Sequence, residues 1–343
     1  MNKYTCVSGQ KGVQYRKLRS RDLRRGEYNN EDMRMKTVFI DGSVGTTGLR
    51  IRRRLADRSD IRLVTLPEEL RKNTAARAEA LNSCDLAFLC LPDAAAIEAA
   101  GLVTNPDVVL LDTSTAHRTD PGWAYGFPEL SEAHAEAVRG SKRIAVPGCH
   151  ASGFIALVYP LLQAGYLRKD ALLSCFSLTG YSGGGKKMIA AYEEGGRPAL
   201  YDAPRQYALG QTHKHLPEMQ AVTGIANAPA FCPVVADFYS GMEVTVPVFG
   251  AQLLRDVGPA ELNELYSDWY GGPLVFCAGP DDDGFMSAGA YSGKDTMALY
   301  VTGNEARLLL TARYDNLGKG ASGAAIECMN LVLGLDPATG LEL

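Results

Sequence analysis

From Lys36 onward the chain alternates short apolar runs with stretches of helical periodicity. Thr37 to Asp41, with Val38, Phe39 and Ile40 in succession, reads as a strand covered on both faces, and Ile61 to Leu66, Asp85 to Leu91 and Asp107 to Asp112 read as further strands. Between these runs the spacing turns helical, over Leu49 to Asp57, the Ala-rich Glu68 to Leu81, and Asp93 to Val103. Strand and helix in strict alternation predict a parallel sheet with helices on both faces, the organisation of a mononucleotide- or dinucleotide-binding domain.

The texture changes after a further strand at Ile144 to Pro147 and an apolar helical run from Ala151 to Gly165. Long strand-like segments follow at Leu172 to Thr179, Met242 to Leu253, Met297 to Thr302 and Ala306 to Tyr314, the last two joined by a Gly303-Asn304 turn that predicts a hairpin. A final helical pattern, Ala321 to Leu333, belongs to neither hairpin nor linker and is expected to pack back on the first domain. The fold class expected is therefore α/β, a Rossmann-like doubly wound parallel sheet followed by an α+β domain with a mostly antiparallel sheet.

The chain has 343 residues, 46% of them hydrophobic, which is enough for two domains with cores of their own. No apolar run is long enough to span a bilayer, so no membrane partner is expected. The formal charge of −4 hides a split. Residues 1–34 carry nine Lys or Arg against four Asp or Glu, whereas the remaining 309 carry 26 against 35, a balance of −9. A basic face for nucleic acid is thus not expected of the body. The basic stretch lacks an apolar core pattern and predicts a disordered or non-native extension, with Met35 as the natural first residue. Of the eight cysteines, Cys84, Cys90, Cys175 and Cys277 lie in apolar stretches, and no pair has C-x-x-C spacing, so a reduced, cytoplasmic protein is expected.

Gly42-Ser43-Val44-Gly45-Thr46-Thr47-Gly48 lies between the first strand and its helix. Glycines there let the backbone approach a pyrophosphate, which the helix N-terminus then receives with free N–H groups. The second strand ends without a clear acid for a ribose 2′-hydroxyl, and Arg71 and Lys72 follow, a balance that favours a 2′-phosphate and hence NADP over NAD. In Pro147-Gly148-Cys149, the cysteine falls at the start of the apolar helix, where partial positive charge favours thiolate and where acyl transfer has its oxyanion donors at hand. His213 and His215 alternate and, in an extended segment, would point the same way as acid/base partners for a thiol. No third ligand stands near them, so no metal is expected. Asp112 to Arg118 follows the fourth strand, and Arg118 beside Ser114 could hold a phosphate. Tyr181 to Lys187, containing Ser182 and Gly183, and Asn316 to Gly323 are two further glycine-rich helix entrances.

Taken together, these strings make the chain from Met35 resemble the short-form N-acetyl-γ-glutamyl-phosphate reductases of the semialdehyde dehydrogenase superfamily. The resemblance rests on G-x-x-G-T-T-G at Gly42, D-x-S-x-x-x-R at Asp112, P-G-C at Pro147, H-x-H-x-P-E at His213 and N-L-x-K-G-A-S-G at Asn316, in the family's order. His117 and His150 stand where longer members usually carry aromatic residues. The resemblance implies NADP-dependent reductive dephosphorylation through a thioester on Cys149, within arginine biosynthesis. His215 or His213 would be the acid/base, Arg118 and Ser114 would hold anionic groups of the acyl phosphate, and Glu218 would orient a histidine or the substrate. Gly42, Ser43, Gly45, Thr46, Thr47, Gly48, Arg71, Ser182, Gly183 and Asn316 would hold the cofactor. It also implies an NADP-binding domain of residues 35–148 and 317–343. Residues 149–316 would form a glyceraldehyde-3-phosphate dehydrogenase-like catalytic and dimerisation domain, in a homodimer or homotetramer. An aspartate-semialdehyde dehydrogenase shares the chemistry, but H-x-H-x-P-E speaks against it. A dinucleotide-binding sensor without chemistry is the alternative from another class.

Overall fold

The computed structural model describes residues 35–281 and 283–343, so the extension expected over residues 1–34 lies outside the described residues. The first sheet contains β1 (Lys36–Asp41), β2 (Ile61–Val64), β3 (Leu86–Leu89), β4 (Val109–Asp112), β5 (Ala124–Tyr125) and β6 (Arg143–Ala145) in the order β2-β1-β3-β4-β6-β5. Every pairing in it is parallel. Helices α1 (Thr46–Leu55), α2 (Thr74–Ser83), α3 (Asp93–Gly101) and α4 (Glu132–Gly140) connect these strands. Successive strand residues face opposite sides. Val38, Ile40, Phe88 and Leu111 pack with Ile51 and Leu55 of α1 on one side, and Phe39, Ala87, Leu89 and Leu110 pack with Leu81 of α2 on the other.

Helix α5 (Cys149–Gln163) leads into a second, seven-stranded mixed sheet. Its strands are β7 (Ser174–Gly180), β8 (Arg205–Gln206), β9 (Ala230–Ala236), β10 (Met242–Phe249), β11 (Val275–Cys277), β12 (Met297–Asn304) and β13 (Arg307–Tyr314), ordered β11-β12-β13-β10-β7-β9-β8. β7 with β9 and β11 with β12 are parallel, and the other pairings are antiparallel. Helices α6 (Gly185–Glu193), α7 (His215–Thr223) and α8 (Pro259–Trp269) accompany this sheet. Helix α5 is buried continuously from His150 to Val158 and fills the core between the sheet and helices α7 and α8. Each Leu or Phe so enclosed stabilises the fold by about 1.5–3 kcal/mol. At Gly153 an added Cβ would lie 2.6 Å from Tyr314 Oη and 2.7 Å from Val244 Cγ2, so glycine sets how closely the helix meets β10 and β13. Tyr314 takes advantage of that approach: its hydroxyl accepts from Gly153 N–H at 3.0 Å and donates to the Cys149 carbonyl at 2.5 Å. The last helix, α9 (Gly323–Val332), places Ala325, Ile326 and Met329 in the core of the first sheet.

The elements differ from the expected boundaries where local capping intervenes. The run from Glu68 is a short 3-10 turn to Leu70, and α2 starts only at Thr74, because the Asn73 side chain accepts from Ala76 N–H and begins the helix there. β10 stops at Phe249, where Gln252 folds back to accept the Phe249 N–H. Before α9 the chain makes a π turn over Gly318–Ser322, so the helix starts at Gly323.

Candidate active site

The strand β6 ends at Ala145, and Gly148 caps the entrance to α5, whose first residue is Cys149. An added Cβ at Gly148 would lie 2.3 Å from Arg118 Nη1 and 2.4 Å from His215 Nε2. A guanidinium and an imidazole nitrogen therefore fill the space that a side chain at the residue before the thiol would need. Arg118 is held there from three sides, by Nε to Val146 O (2.9 Å), Nη2 to Thr113 O (3.0 Å) and Nη1 to Glu218 Oε2 (3.1 Å). One N–H on each terminal nitrogen remains for a ligand.

Glu218 is buried on the first turn of α7 and faces the turn rather than open space. Its Oε1 accepts from Gly148 N–H and from Tyr125 Oη, both at 2.7 Å, while Oε2 takes Arg118. Expected to orient a histidine or the substrate, Glu218 is hydrogen-bonded to the Pro147-Gly148-Cys149 turn, to Tyr125 and to Arg118. Ser114 likewise differs from its expected place: it donates to Asp112 Oδ2 at 2.7 Å and accepts from Ala116 N–H at 3.1 Å. Asp112 also binds His117 Nδ1 at 2.6 Å, and that ring stacks on Trp123 with centroids 4.0 Å apart.

His213 and His215 do not share an extended segment. Lys214 has helical torsions and His215 is the first residue of α7. The rings meet edge to face, with centroids 4.7 Å apart, and His213 Nδ1 accepts the His215 N–H at 3.2 Å. Among the described residues, His215 Nδ1 is buried without a hydrogen-bond partner. Burial, then the nearby Arg118 charge, holds His215 well below the ordinary imidazole range. Burial pushes the Cys149 thiol up to about 11, against Arg118 and the His150 N–H, which favour thiolate. The helix N-terminus at Cys149 is thus outweighed by desolvation, and the resting pair is a thiol beside neutral imidazoles.

A cavity of about 300 Å³ opens over Cys149, His213 and His215 and continues to Gly183 and Gly184. Its remaining lining includes His150, Tyr207, Thr115 and Lys214, and among the described residues no Asp or Glu. Lys214 reaches Asp93 at the start of α3, and Asp93 in turn accepts from Thr115 Oγ1 at 2.8 Å, so this contact ties the entrance of α7 to that of α3. Tyr207 carries no motif that would have marked it. Lys214 sits inside the histidine string, where alternation drew attention to its neighbours.

The glycine turn after β1 has the form a nucleotide needs. Gly42 has φ +86°, and a Cβ there would lie 2.2 Å from Cys90 O; one at Gly48 would lie 2.5 Å from Gly42 O. Gly45 caps α1, and Thr46 Oγ1 is buried with no hydrogen-bond partner among the described residues. Across from it an added Cβ at Gly185 would lie 3.9 Å from Thr46 Oγ1, so the second glycine loop faces the first. Ser43 is buried, while Thr47 is half-buried on the same turn. Asn316 donates to Ser182 Oγ at 3.0 Å and accepts from Gly241 N–H at 2.9 Å, and an added Cβ at Gly183 would lie 3.2 Å from Asn316 Nδ2. Asn316 thus shapes the second loop from behind. Arg71 rests just past β2, with Nε donating to Leu66 O at 3.3 Å. An orphaned buried hydroxyl between two facing glycine loops fits a dinucleotide.

A parallel nucleotide-type sheet, a cysteine at a helix entrance, and an imidazole and guanidinium against the same turn define an oxidoreductase of the semialdehyde dehydrogenase class. Family models agree: residues 37–138 match the semialdehyde dehydrogenase NAD binding domain, and residues 149–316 match the semialdehyde dehydrogenase dimerisation domain. The N-acetyl-gamma-glutamyl-phosphate reductase of Burkholderia cenocepacia (strain HI2424) is 43% identical over 308 residues, 88% of this chain and 98% of the relative. N-acetyl-gamma-glutamyl-phosphate reductase 2 of Pseudomonas putida is 42% identical over 317 residues, covering 90% and 100%. The chain belongs to the N-acetyl-gamma-glutamyl-phosphate reductase family, as the sequence motifs had indicated. Among solved structures, aspartate semialdehyde dehydrogenase II of Vibrio cholerae superposes with a TM-score of 0.69 at 15% identity over 88% of this chain and 98% of that one, a likeness of fold.

Proposed function

We propose that the chain catalyses NADP-dependent reductive dephosphorylation of N-acetyl-L-γ-glutamyl phosphate to N-acetyl-L-glutamate 5-semialdehyde, a step of arginine biosynthesis. The observation that carries the mechanism is that His215 Nε2 and Arg118 Nη1 occupy the space a Cβ at Gly148 would take, next to Cys149. A neutral imidazole is the form that can take a proton. His215 accepts the thiol proton as sulfur bonds to the acyl carbon, so free thiolate need not accumulate at a thiol titrating near 11. The carbon–oxygen bond to phosphate breaks, and Arg118 steadies the departing dianion with its two unused N–H groups. A Cys149 thioester remains. When bound, NADPH supplies the hydride that takes the thioester to the aldehyde oxidation level, after which the carbon–sulfur bond breaks and His215 returns its proton to sulfur. His213, which caps the His215 N–H, holds the base in place, and Glu218 holds both Arg118 and the Gly148 turn. Ser114 supports Asp112 and, through His117, the loop that delivers Arg118.

The cofactor would lie against Gly42 to Gly48, with its phosphates over Thr46 and the Ser182-Gly183 loop, and Arg71 would meet the 2′-phosphate. Residues 35–148 with 317–343 form the NADP-binding domain in this reading, and 149–316 the catalytic and dimerisation domain. Phe176, Phe249 and Leu309 stand exposed on strands of the second sheet, which supports a homodimer or homotetramer built through that face. No described helix is long and apolar enough to cross a membrane, and a cytoplasmic location follows from the pathway. The test is phosphate-dependent reduction of NADP with N-acetyl-glutamate semialdehyde. Activity that survives in Cys149→Ser, or that prefers the free four-carbon aspartate semialdehyde, overturns the reading.

A further inference from the structure

His150 takes no part in these steps, yet it is more enclosed than His213 or His215 and both its ring nitrogens are engaged. Nδ1 lies 2.7 Å from Ser177 Oγ and Nε2 lies 2.6 Å from Tyr207 Oη. Burial holds the imidazole at about 3, so it is neutral and carries one N–H. Which nitrogen has it follows from Ser177. That hydroxyl is wholly buried, and among the described residues His150 Nδ1 is its one side-chain partner. A buried O–H without an acceptor is costly, so Ser177 donates to Nδ1. The ring proton is then on Nε2, and Nε2 donates to the Tyr207 oxygen. The phenol hydrogen cannot point at His150, and the cavity lining offers it no carboxylate. It turns into the space that Tyr207 shares with Cys149.

The loop carrying Tyr207 is built to keep it there. Ala208 and Gln211 adopt φ of +53° and +54°, unfavourable for residues with a Cβ. Tyr207 N–H donates to Pro233 O at 3.0 Å. The Gln211 amide clamps Phe231 from both ends, donating to its carbonyl at 2.7 Å and accepting its N–H at 2.8 Å.

Resting on the acyl-transfer reading of Cys149, we propose that His150 is a positioning residue that commits Tyr207 to donate a hydrogen bond to the substrate's acyl oxygen. That oxygen gains negative charge when sulfur attacks and again when hydride arrives, and an oriented donor stabilises both states. Burial keeps the phenol above its ordinary range, so it donates without losing its proton. An aromatic hydrocarbon in place of His150 would leave the Tyr207 hydroxyl free to rotate.

Nitrogen-15 NMR of histidine-labelled protein reads the polarity without substrate, and steady-state kinetics with N-acetyl-glutamate semialdehyde, phosphate and NADP reads its use. The expected spectrum places the His150 proton on Nε2. Tyr207→Phe is expected to lower kcat about 10²-fold with little change in KM. Ser177→Ala, which keeps the ring but frees its tautomer, is expected to populate the Nδ1–H form and lower kcat about fivefold, with Ser177→Thr restoring both. His150→Phe should fall between the two. A proton on Nδ1 in the parent protein overturns the proposal, as does Tyr207→Phe or Ser177→Ala keeping kcat within twofold. If the parent protein shows no turnover while the Nε2–H form is present, it is the acyl-transfer reading that has failed, and the role of Tyr207 toward substrate falls with it.

Discussion

At the nucleotide edge Gly42 and Gly48 bring one stretch of backbone against another, whereas at the catalytic corner Gly148 brings backbone against two functional side chains. The first region presents main-chain N–H groups and one orphaned hydroxyl, and little in it depends on side-chain chemistry. In the second, Glu218 is hydrogen-bonded by Arg118, Tyr125 and the Gly148 N–H out of water. A site made of backbone fails when space is taken from it. One made of buried, mutually satisfied charges fails when a partner is removed, because the survivor is left desolvated.

That contrast can be broken in graded steps. Cys149→Ser should lower turnover by about 10⁴-fold or more with the fold intact, measured as phosphate-dependent NADP reduction beside circular dichroism. Glu218→Ala should destabilise the protein by about 3–5 kcal/mol in urea unfolding, since a buried guanidinium loses its carboxylate; a loss under 1 kcal/mol would mean the corner is wetter than its geometry indicates. Gly42→Ala, at φ +86° with a carbonyl 2.2 Å from the new Cβ, should cost about 1–3 kcal/mol and raise the KM for NADP. The paired control is Gly45→Ala, whose Cβ would meet no atom closer than 3.5 Å; a change as large as that of Gly42→Ala would refute the backbone account of the turn.

Acid should act through the catalytic corner. His150 is held at about 3 when folded against 6.5 for a free imidazole, and His215 is also depressed. The unfolded chain then binds more protons below pH 6.5, so stability is lost as pH falls from about 6.5 towards 3. His150→Phe should flatten that slope in urea midpoints taken across the interval. The smallest effect belongs to Arg71→Glu, which should shift preference from NADP towards NAD by about tenfold or less, since Arg71 is half-buried rather than enclosed; unchanged KM values for both cofactors would remove it from the 2′-phosphate site.

The parallel sheet was legible because its strands are apolar on both faces, and the hairpin because Gly303-Asn304 separates two long runs. Strands of two or three residues, such as β5, β8 and β11, have no period to read. The glycine turns and Cys149 were legible because their geometry allows few residue types. What stayed hidden was direction. Ser114 and Glu218 are polar residues in functional strings, and nothing in their spacing says that one turns to Asp112 and the other to Gly148. The alternation of His213 and His215 pointed to an extended segment, but α7 begins between them. Tyr207 is brought in by strained loop torsions at Ala208 and Gln211, whereas the glycine that marks the bend in the sequence, Gly210, lies between them.

Helix α9 completes the core beneath β1, β3 and β4, although the whole second sheet lies between them in the chain. During synthesis the strands that open the chain leave the ribosome long before the helix that covers one of their faces. The second sheet, whose strands all precede α9, can close while the first still exposes Val38, Ile40 and Phe88. The half made first is therefore the half finished last, and a chain released short of Gly323 would join the cysteine and its histidines to a nucleotide domain that cannot seal.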